Sequence, residues 1–298
     1  MEVRLHHPST MAVIEIVCAG VFCMLLAGMA ALIYMGFRRK PRNTPSAYMR
    51  RGRRNGSRTV VCAGDSHTHA SLSADYVAIL QKRLDTRGYE FINAGLNGNT
   101  SLDLLDRLDE IVRCQPDAVS VMIGTNDVRG GFSQAAEQAF EQNLRTIVTR
   151  LRSEAHAPVA LLSVAPLGED LAEEANQRVD RCNDVIRRVA RECGADYLPL
   201  NESLGTLIEN SGSHSSRPFK LRIGLLLGAA VRRYIAHQTW DTIAGRNRLI
   251  VHTDQIHLND SAGKVVADLI AGWLGAMSGG KLCGAPTQIS SPSENFHT

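Results

Sequence analysis

Aromatic residues are scarce in this 298-residue chain, at 5%, which leaves little from which to build a base-stacking surface. Paired cysteine spacing is missing too. The seven cysteines include no CxxC and no Cys/His cluster, so neither a metal site nor a disulfide framework is indicated. Cys62, Cys114, Cys182, Cys193 and Cys283 are scattered without pattern, which suits a reducing compartment. Glycine-rich phosphate loops are absent: "GLNGNT" is neither GxGxxG nor a P-loop, which argues against nucleotide binding. No glycine follows Met1 for myristoylation, the C-terminal "FHT" is no prenylation signal, and no internal repeat is apparent.

What is present is an ordinary globular composition, 44% hydrophobic and 21% charged, with its charge unevenly placed. Residues 38–58, "RRKPRNTPSAYMRRGRRNGSR", carry nine Arg or Lys and no acid. With +9 there and −1 in residues 1–37, the total of +3 leaves residues 59–298 at −5. A mildly acidic body argues against nucleic acid as a partner, because a nucleic-acid-binding domain spreads Lys and Arg over a folded face.

Immediately before the basic segment, Ile16 to Phe37 runs 22 residues without a charge. A helix of that length is about 33 Å long and matches a hydrocarbon core of about 30 Å. A cleaved signal peptide has a shorter apolar stretch with its positive charge in front, and a buried core helix is not usually followed by nine cations. The pattern predicts a short tail at 1–15, a single-pass transmembrane anchor at 16–37 and a basic juxtamembrane linker at 38–58, read as a tether near anionic lipid. The cationic flank is C-terminal, so the body is expected in the cytoplasm. A disordered tail is expected at 279–298.

From residue 59 the pattern alternates. Apolar runs at Thr59–Ala63, Glu90–Ala94, Ala118–Ile123, Pro158–Val164 and Asp196–Leu200 read as strands. Helical stretches at Ala74–Arg87, Leu102–Cys114, Gln134–Glu154 and Leu171–Cys193 lie between them, with a closing helix at Ser261–Met277. Strands alternating with helices predict βαβ units, hence an α/β, doubly wound, three-layer domain over 59–278 with a five-stranded parallel sheet. Residues 201–253 break the alternation. Their apolar, cationic stretch "FKLRIGLLLGAAVRRYIAHQTW" reads as an inserted helix packed on the domain or as a lid beside an acyl pocket.

The strand ends carry polar residues of a particular kind. "TVVCAGDSHTHAS" places Ser66 at the turn from the first strand into a helix, where a serine either caps the helix or stands exposed as a nucleophile. "NAGLNGNTS" follows the second strand, "GTND" the third, and "DQIHLND" lies near the end of the domain. In a doubly wound sheet these edges open onto one crevice. Acyl transfer needs this set. Ser66 requires a base, which His257 can be, and the imidazole requires an orienting carboxylate, which Asp254 can supply. The oxyanion requires donors, for which the N–H groups of Gly98 and Ser66 and the amide of Asn126 are suited. Individually each has a plainer explanation, as cap, turn or surface residue; together, in this order, they favour catalysis at Ser66.

These blocks resemble those of the SGNH/GDSL hydrolase superfamily (GDSL-type esterases and lipases). Ser66 in "GDSHT" matches the nucleophile block, Gly98 in "NAGLNGNTS" the second, Asn126 in "GTND" the third, and Asp254 and His257 in "DQIHLN" the last. The resemblance covers about residues 59–278. It implies a flavodoxin-like sheet in order 2-1-3-4-5 and metal-free, cofactor-free ester hydrolysis, with an ester or lysophospholipid substrate. Two departures stand out. Ala70 occupies a position where glycine is usual, and His67 and His69 flank the serine, read here as pocket or surface residues rather than ligands. Acyl transfer to an alcohol is a rival use of the same residues when water is excluded. A catalytically silent, membrane-tethered binding module is another, disfavoured because such a module has no need of Ser66, Asp254 and His257 together.

Overall fold

In the computed structural model, residues 10–212 and 218–279 are described; most of the tail expected at 1–15 and nearly all of that at 279–298 lie outside them. The chain enters through a long apolar helix, α1 (Thr10–Ile33), which ends in a π-helical turn at Tyr34–Arg38 and is followed by a short helix α2 (Pro45–Arg51). Then come β1 (Arg58–Gly64), the one-turn α3 (Ser66–His69), α4 (Tyr76–Leu84), β2 (Tyr89–Gly95), α5 (Ser101–Asp106) and α6 (Leu108–Val112). The second half holds β3 (Ala118–Met122), α7 (Thr125–Val128), α8 (Gln134–Glu154), β4 (Val159–Leu162), α9 (Glu174–Cys193) and β5 (Asp196–Leu198). The 201–253 region contains most of α10 (Leu200–Asn210), then α11 (Ile223–Tyr234) and α12 (Trp240–Arg246), before the closing α13 (Asp260–Met277).

The five strands form one parallel sheet in the order β2-β1-β3-β4-β5, in register Val60↔Phe91, Val60↔Ala118, Val119↔Val159 and Ala160↔Asp196. Successive side chains of a strand face opposite ways, and both faces here are apolar. Val61, Ala63, Val119, Val121 and Leu161 pack under α5, α6, α8 and α9, while Val60, Cys62, Ala118, Ala160 and Leu162 pack under α4, α10 and α13. That is the three-layer arrangement expected of apolar strands alternating with amphipathic helices. A smaller cluster of Leu72, Ala74, Ala229, Ala230, Trp240 and Ile243 seats α11 and α12 beside the stretch that follows α3.

Three local features depart from the sequence reading, each for a physical reason. The helix expected at Leu102–Cys114 is interrupted at Arg107, where the guanidinium turns in to donate to the strand-end carbonyls of Gly64 (3.1 Å) and Ala94 (2.9 Å). The 38–58 segment is not a free tether along its length. Tyr48 is buried with its hydroxyl 3.1 Å from Thr59 Oγ1, Arg51 pairs with Glu90, and Arg54 pairs with Asp85. Asn43 also bonds the outer edge of β2, accepting from Asn93 N (2.8 Å) and donating to Phe91 O (2.6 Å). An edge strand otherwise exposes its unpaired backbone groups. Finally, α1 begins well before residue 16, with Glu15 inside the helix.

Glycine is required where the serine-bearing turn meets the sheet. A Cβ on Gly95 would lie 2.2 Å from His69 N and 2.5 Å from Thr68 C. The bare backbone at the end of β2 lets α3 settle directly on the strand.

Candidate active site

Ser66 is the first residue of α3, at the carboxyl end of β1. The preceding Asp65 is the cap, its Oδ1 accepting from His67 N at 3.0 Å, so the residue that caps the helix is the aspartate and the serine is left partly exposed. The turn closes through Ala70, which adopts the left-handed conformation with φ 64°. Glycine enters that region freely and alanine does so at a cost of about 1 kcal/mol, which explains why glycine is the residue expected there.

The loop before α13 brings the other two groups to the serine. His257 Nε2 lies 3.2 Å from Ser66 Oγ, and His257 Nδ1 lies 2.7 Å from Asp254 Oδ2. Asp254 is buried. Its Oδ1 also accepts from the backbone N–H groups of Ile256 (3.1 Å) and His257 (2.8 Å). Burial alone would raise this carboxyl, but the imidazole opposite and these hydrogen bonds outweigh it and hold it below the ordinary aspartate value. An ionised Asp254 can only accept, which fixes the imidazole proton on Nδ1. Nε2 is then free to accept from the serine hydroxyl. The loop pays for this shape at Gln255, whose φ is 78°; its carbonyl accepts from Gly168 N at 2.8 Å.

Asn126 stands on α7 at the end of β3, its Nδ2 donating to Asn99 O at 2.9 Å and lying 3.5 Å from Asp65 Oδ2. Gly98 is in the turn after β2 with φ 78°, a left-handed position. The turn is tied in by Leu96 N to Gly64 O (3.1 Å) and by the Asn126–Asn99 bond. The structure thus joins Ser66, His257 and Asp254 by direct hydrogen bonds. Asn126 is set beside the serine's neighbour Asp65, and the turn holding Gly98 is tied to it through Asn99 O and to the segment after the serine through Asn97 Nδ2 and Ser71 Oγ (3.0 Å).

Two arrangements escaped the sequence reading. His67 is buried and bridges both halves of the site, Nδ1 to Asp65 Oδ1 (3.1 Å) and Nε2 to Ile256 O (2.9 Å). Burial works against its protonation, but the Asp65 carboxylate and these hydrogen bonds raise its pKa above the usual value. Glu169, also buried, gathers the N–H groups of Ile250, Val251 and His252 and the His252 ring (3.2 Å), and so braces the strand-like run leading into the Asp254 loop. The adjacency of His67 to the serine was the only available signal for the first. Nothing local marks Glu169. Among the described residues no group of three or more His, Cys, Asp or Glu is placed to ligate a metal ion.

A doubly wound sheet with a Ser–His–Asp chain across its carboxyl edge defines the class of protein. Residues 62–220 match the GDSL-like lipase/acylhydrolase family, and the chain belongs to it. It is 34% identical over 114 residues to Esterase TesA of Pseudomonas aeruginosa, an alignment that covers 36% of this chain and 55% of that esterase. It is 28% identical over 153 residues to an acetylxylan esterase of Geobacillus stearothermophilus, covering 46% and 69%. The chain thus spans little more than half the length of the first of these relatives. In fold it is similar to the acetyl xylan esterase AlAXEase, with a TM-score of 0.56 at 24% identity over 72% of this chain and 99% of that one. It is also similar to a lipase/acylhydrolase from Enterococcus faecalis, with a TM-score of 0.52 at 19% identity over 74% and 96%.

Proposed function

We propose that the protein is a membrane-anchored serine esterase that cleaves carboxylic esters through an acyl-enzyme on Ser66. The observation that carries this reading is the continuous hydrogen-bonded line from Asp254 through His257 to Ser66. His257 Nε2 takes the hydroxyl proton as Oγ attacks the ester carbonyl, and the imidazolium formed is stabilised by Asp254 on Nδ1. The negative oxygen of the tetrahedral intermediate is received by the N–H groups of Ser66 and Gly98 and the Asn126 amide. His257 then returns the proton to the departing alcohol. A water, deprotonated by the same imidazole, attacks the acyl carbonyl, and the imidazolium returns that proton to Ser66 Oγ as the acid is released.

The test is a panel of p-nitrophenyl esters of rising chain length offered to the purified full-length protein. Saturable release of p-nitrophenol from at least the short esters is expected, and no turnover across the panel would contradict the reading. Asn126→Ala is expected to lower kcat by about 10²–10³-fold, as loss of one oxyanion donor does elsewhere, with stability lowered only by the roughly 1 kcal/mol of its bond to Asn99 O. An unchanged kcat would assign the charge to other donors, and an equal loss of stability would make Asn126 a structural turn residue.

The anchor is read from α1. The apolar window Val17–Gly36, which runs from α1 into the π-helical turn, has a mean hydropathy of 2.3. The described side chains of α1 from Met11 to Ala31 are exposed, including Phe22 at 61% and Met24 at 68%. A helix this apolar, exposed along its described side chains and meeting the domain through α11, fits a lipid surrounding, and the cations after it favour a cytoplasmic domain. Protease added to sealed, right-side-out vesicles or spheroplasts should spare the domain until lysis; digestion from outside would reverse the orientation.

A further inference from the structure

Where the chain leaves α1 it does not move clear of the domain. Gly36, in the π-helical turn, packs on it: a Cβ there would lie 3.6 Å from Leu72 and 3.9 Å from Ala230 of α11. The residues that follow wall a cavity of about 440 Å³ together with the start of α12, the end of α11 and the end of the nucleophile turn. Arg39, Lys40, Arg42 and Arg233 contribute four cations to its lining, beside His69 and Trp240. None of the four forms an ion pair among the described residues. Arg233 is held in the wall by stacking 5.1 Å over the Trp240 ring and by donating to Gln238 O at 3.0 Å. Two carboxylates also line the cavity and both are engaged in capping, Asp75 accepting from Ala78 N (2.9 Å) and Asp260 from Asp241 N (3.2 Å). His69 is buried at 7% exposure, and its Nδ1 has no hydrogen-bond partner. A buried polar nitrogen left unpaired is costly, and four cations around one hollow, of which Arg42 is partly offset by Asp75 and three are exposed to screening solvent, still repel one another. Both costs are relieved by an anion.

We propose that this cavity is a binding site for a phosphate group, and that its position at the membrane exit makes a lipid headgroup the source. The four cations supply charge-assisted bonds to the phosphate oxygens, and a His69 ring protonated on Nδ1 supplies a neutral donor. Ala70 and Ser71 in the same wall lie one turn beyond Ser66. The site rests on the membrane-anchored reading for its ligand source but not on any chemistry at Ser66.

The test is calorimetric titration of the full-length chain in maltoside micelles, carrying Ser66→Ala so that no turnover contributes heat. The probes are dihexanoyl phosphatidylglycerol and inorganic phosphate. Saturable binding of the lipid is expected, weakened by about tenfold or more in Arg39→Gln/Arg42→Gln, the scale of losing a charge-assisted bond. Neither side chain makes a hydrogen bond among the described residues, so an unchanged melting temperature will show that the double variant is folded. Tighter binding of the lipid than of inorganic phosphate supports the headgroup; equal binding keeps the site but assigns it to soluble phosphate. No saturable binding of either probe, or equal affinity in the double variant, overturns the proposal. Because the readout is binding, a failed esterase assay leaves this result standing, and the reverse also holds.

Discussion

Ser66→Ala should lower turnover of p-nitrophenyl acetate by about 10⁴–10⁶-fold while leaving the melting temperature nearly unchanged, the scale seen when a serine nucleophile is removed from a working triad. The expectation of intact folding follows from the division of labour at the turn. Asp65, not Ser66, supplies the capping oxygen, and the bond Ser66 makes as a side chain is to His257 Nε2. Alanine at this position keeps helical propensity and removes only the nucleophilic oxygen. A residual rate above that of the ester in buffer is expected, because the oxyanion donors remain.

The second large effect belongs to Asp254. In Asp254→Asn, Oδ1 can still accept from Ile256 N and His257 N, so the loop keeps its backbone bonds. The other arm now carries an NH2 that donates toward Nδ1. That favours the wrong imidazole tautomer, with the proton on Nε2 facing the serine, and the base is lost. A fall in kcat of about 10⁴-fold is expected with KM little changed. The pH dependence of stability separates the two variants. The native carboxyl lies below the ordinary aspartate value, so its contribution to stability is fully present above that ordinary value. It is lost as pH falls through the lowered one. Acid unfolding should therefore begin from a less stable state in Asp254→Asn than in the wild type at neutral pH, and the gap should narrow as pH drops below about 4. Equal kcat in Asp254→Asn and wild type would remove Asp254 from the mechanism.

The elements that were legible in the sequence are those whose cause is local. Each apolar run became a strand within a residue or two, because "TVVCA" or "AVSVM" has no other way to bury both faces. The Asp254–His257 pair was legible because three residues of one loop suffice to make it. The elements that were not legible depend on distant partners. The break at Arg107 answers carbonyls of Gly64 and Ala94, 43 and 13 residues away. The arginines at 51 and 54 looked like a solvated linker because Glu90 and Asp85, which hold them, come a full strand later. His67 meets Ile256 O across 189 residues, so its bridging position belongs to the fold and not to its neighbours in sequence.

The central claim is that Ser66 is the atom-bearing nucleophile, and labelling tests it most directly. The full-length protein is treated with a fluorophosphonate, digested, and its modified peptide sequenced by mass spectrometry. One phosphonylated residue, Ser66, is expected, with labelling abolished in Ser66→Ala and strongly slowed in Asp254→Asn. Modification of a different residue, or label that persists undiminished in Ser66→Ala, would contradict it.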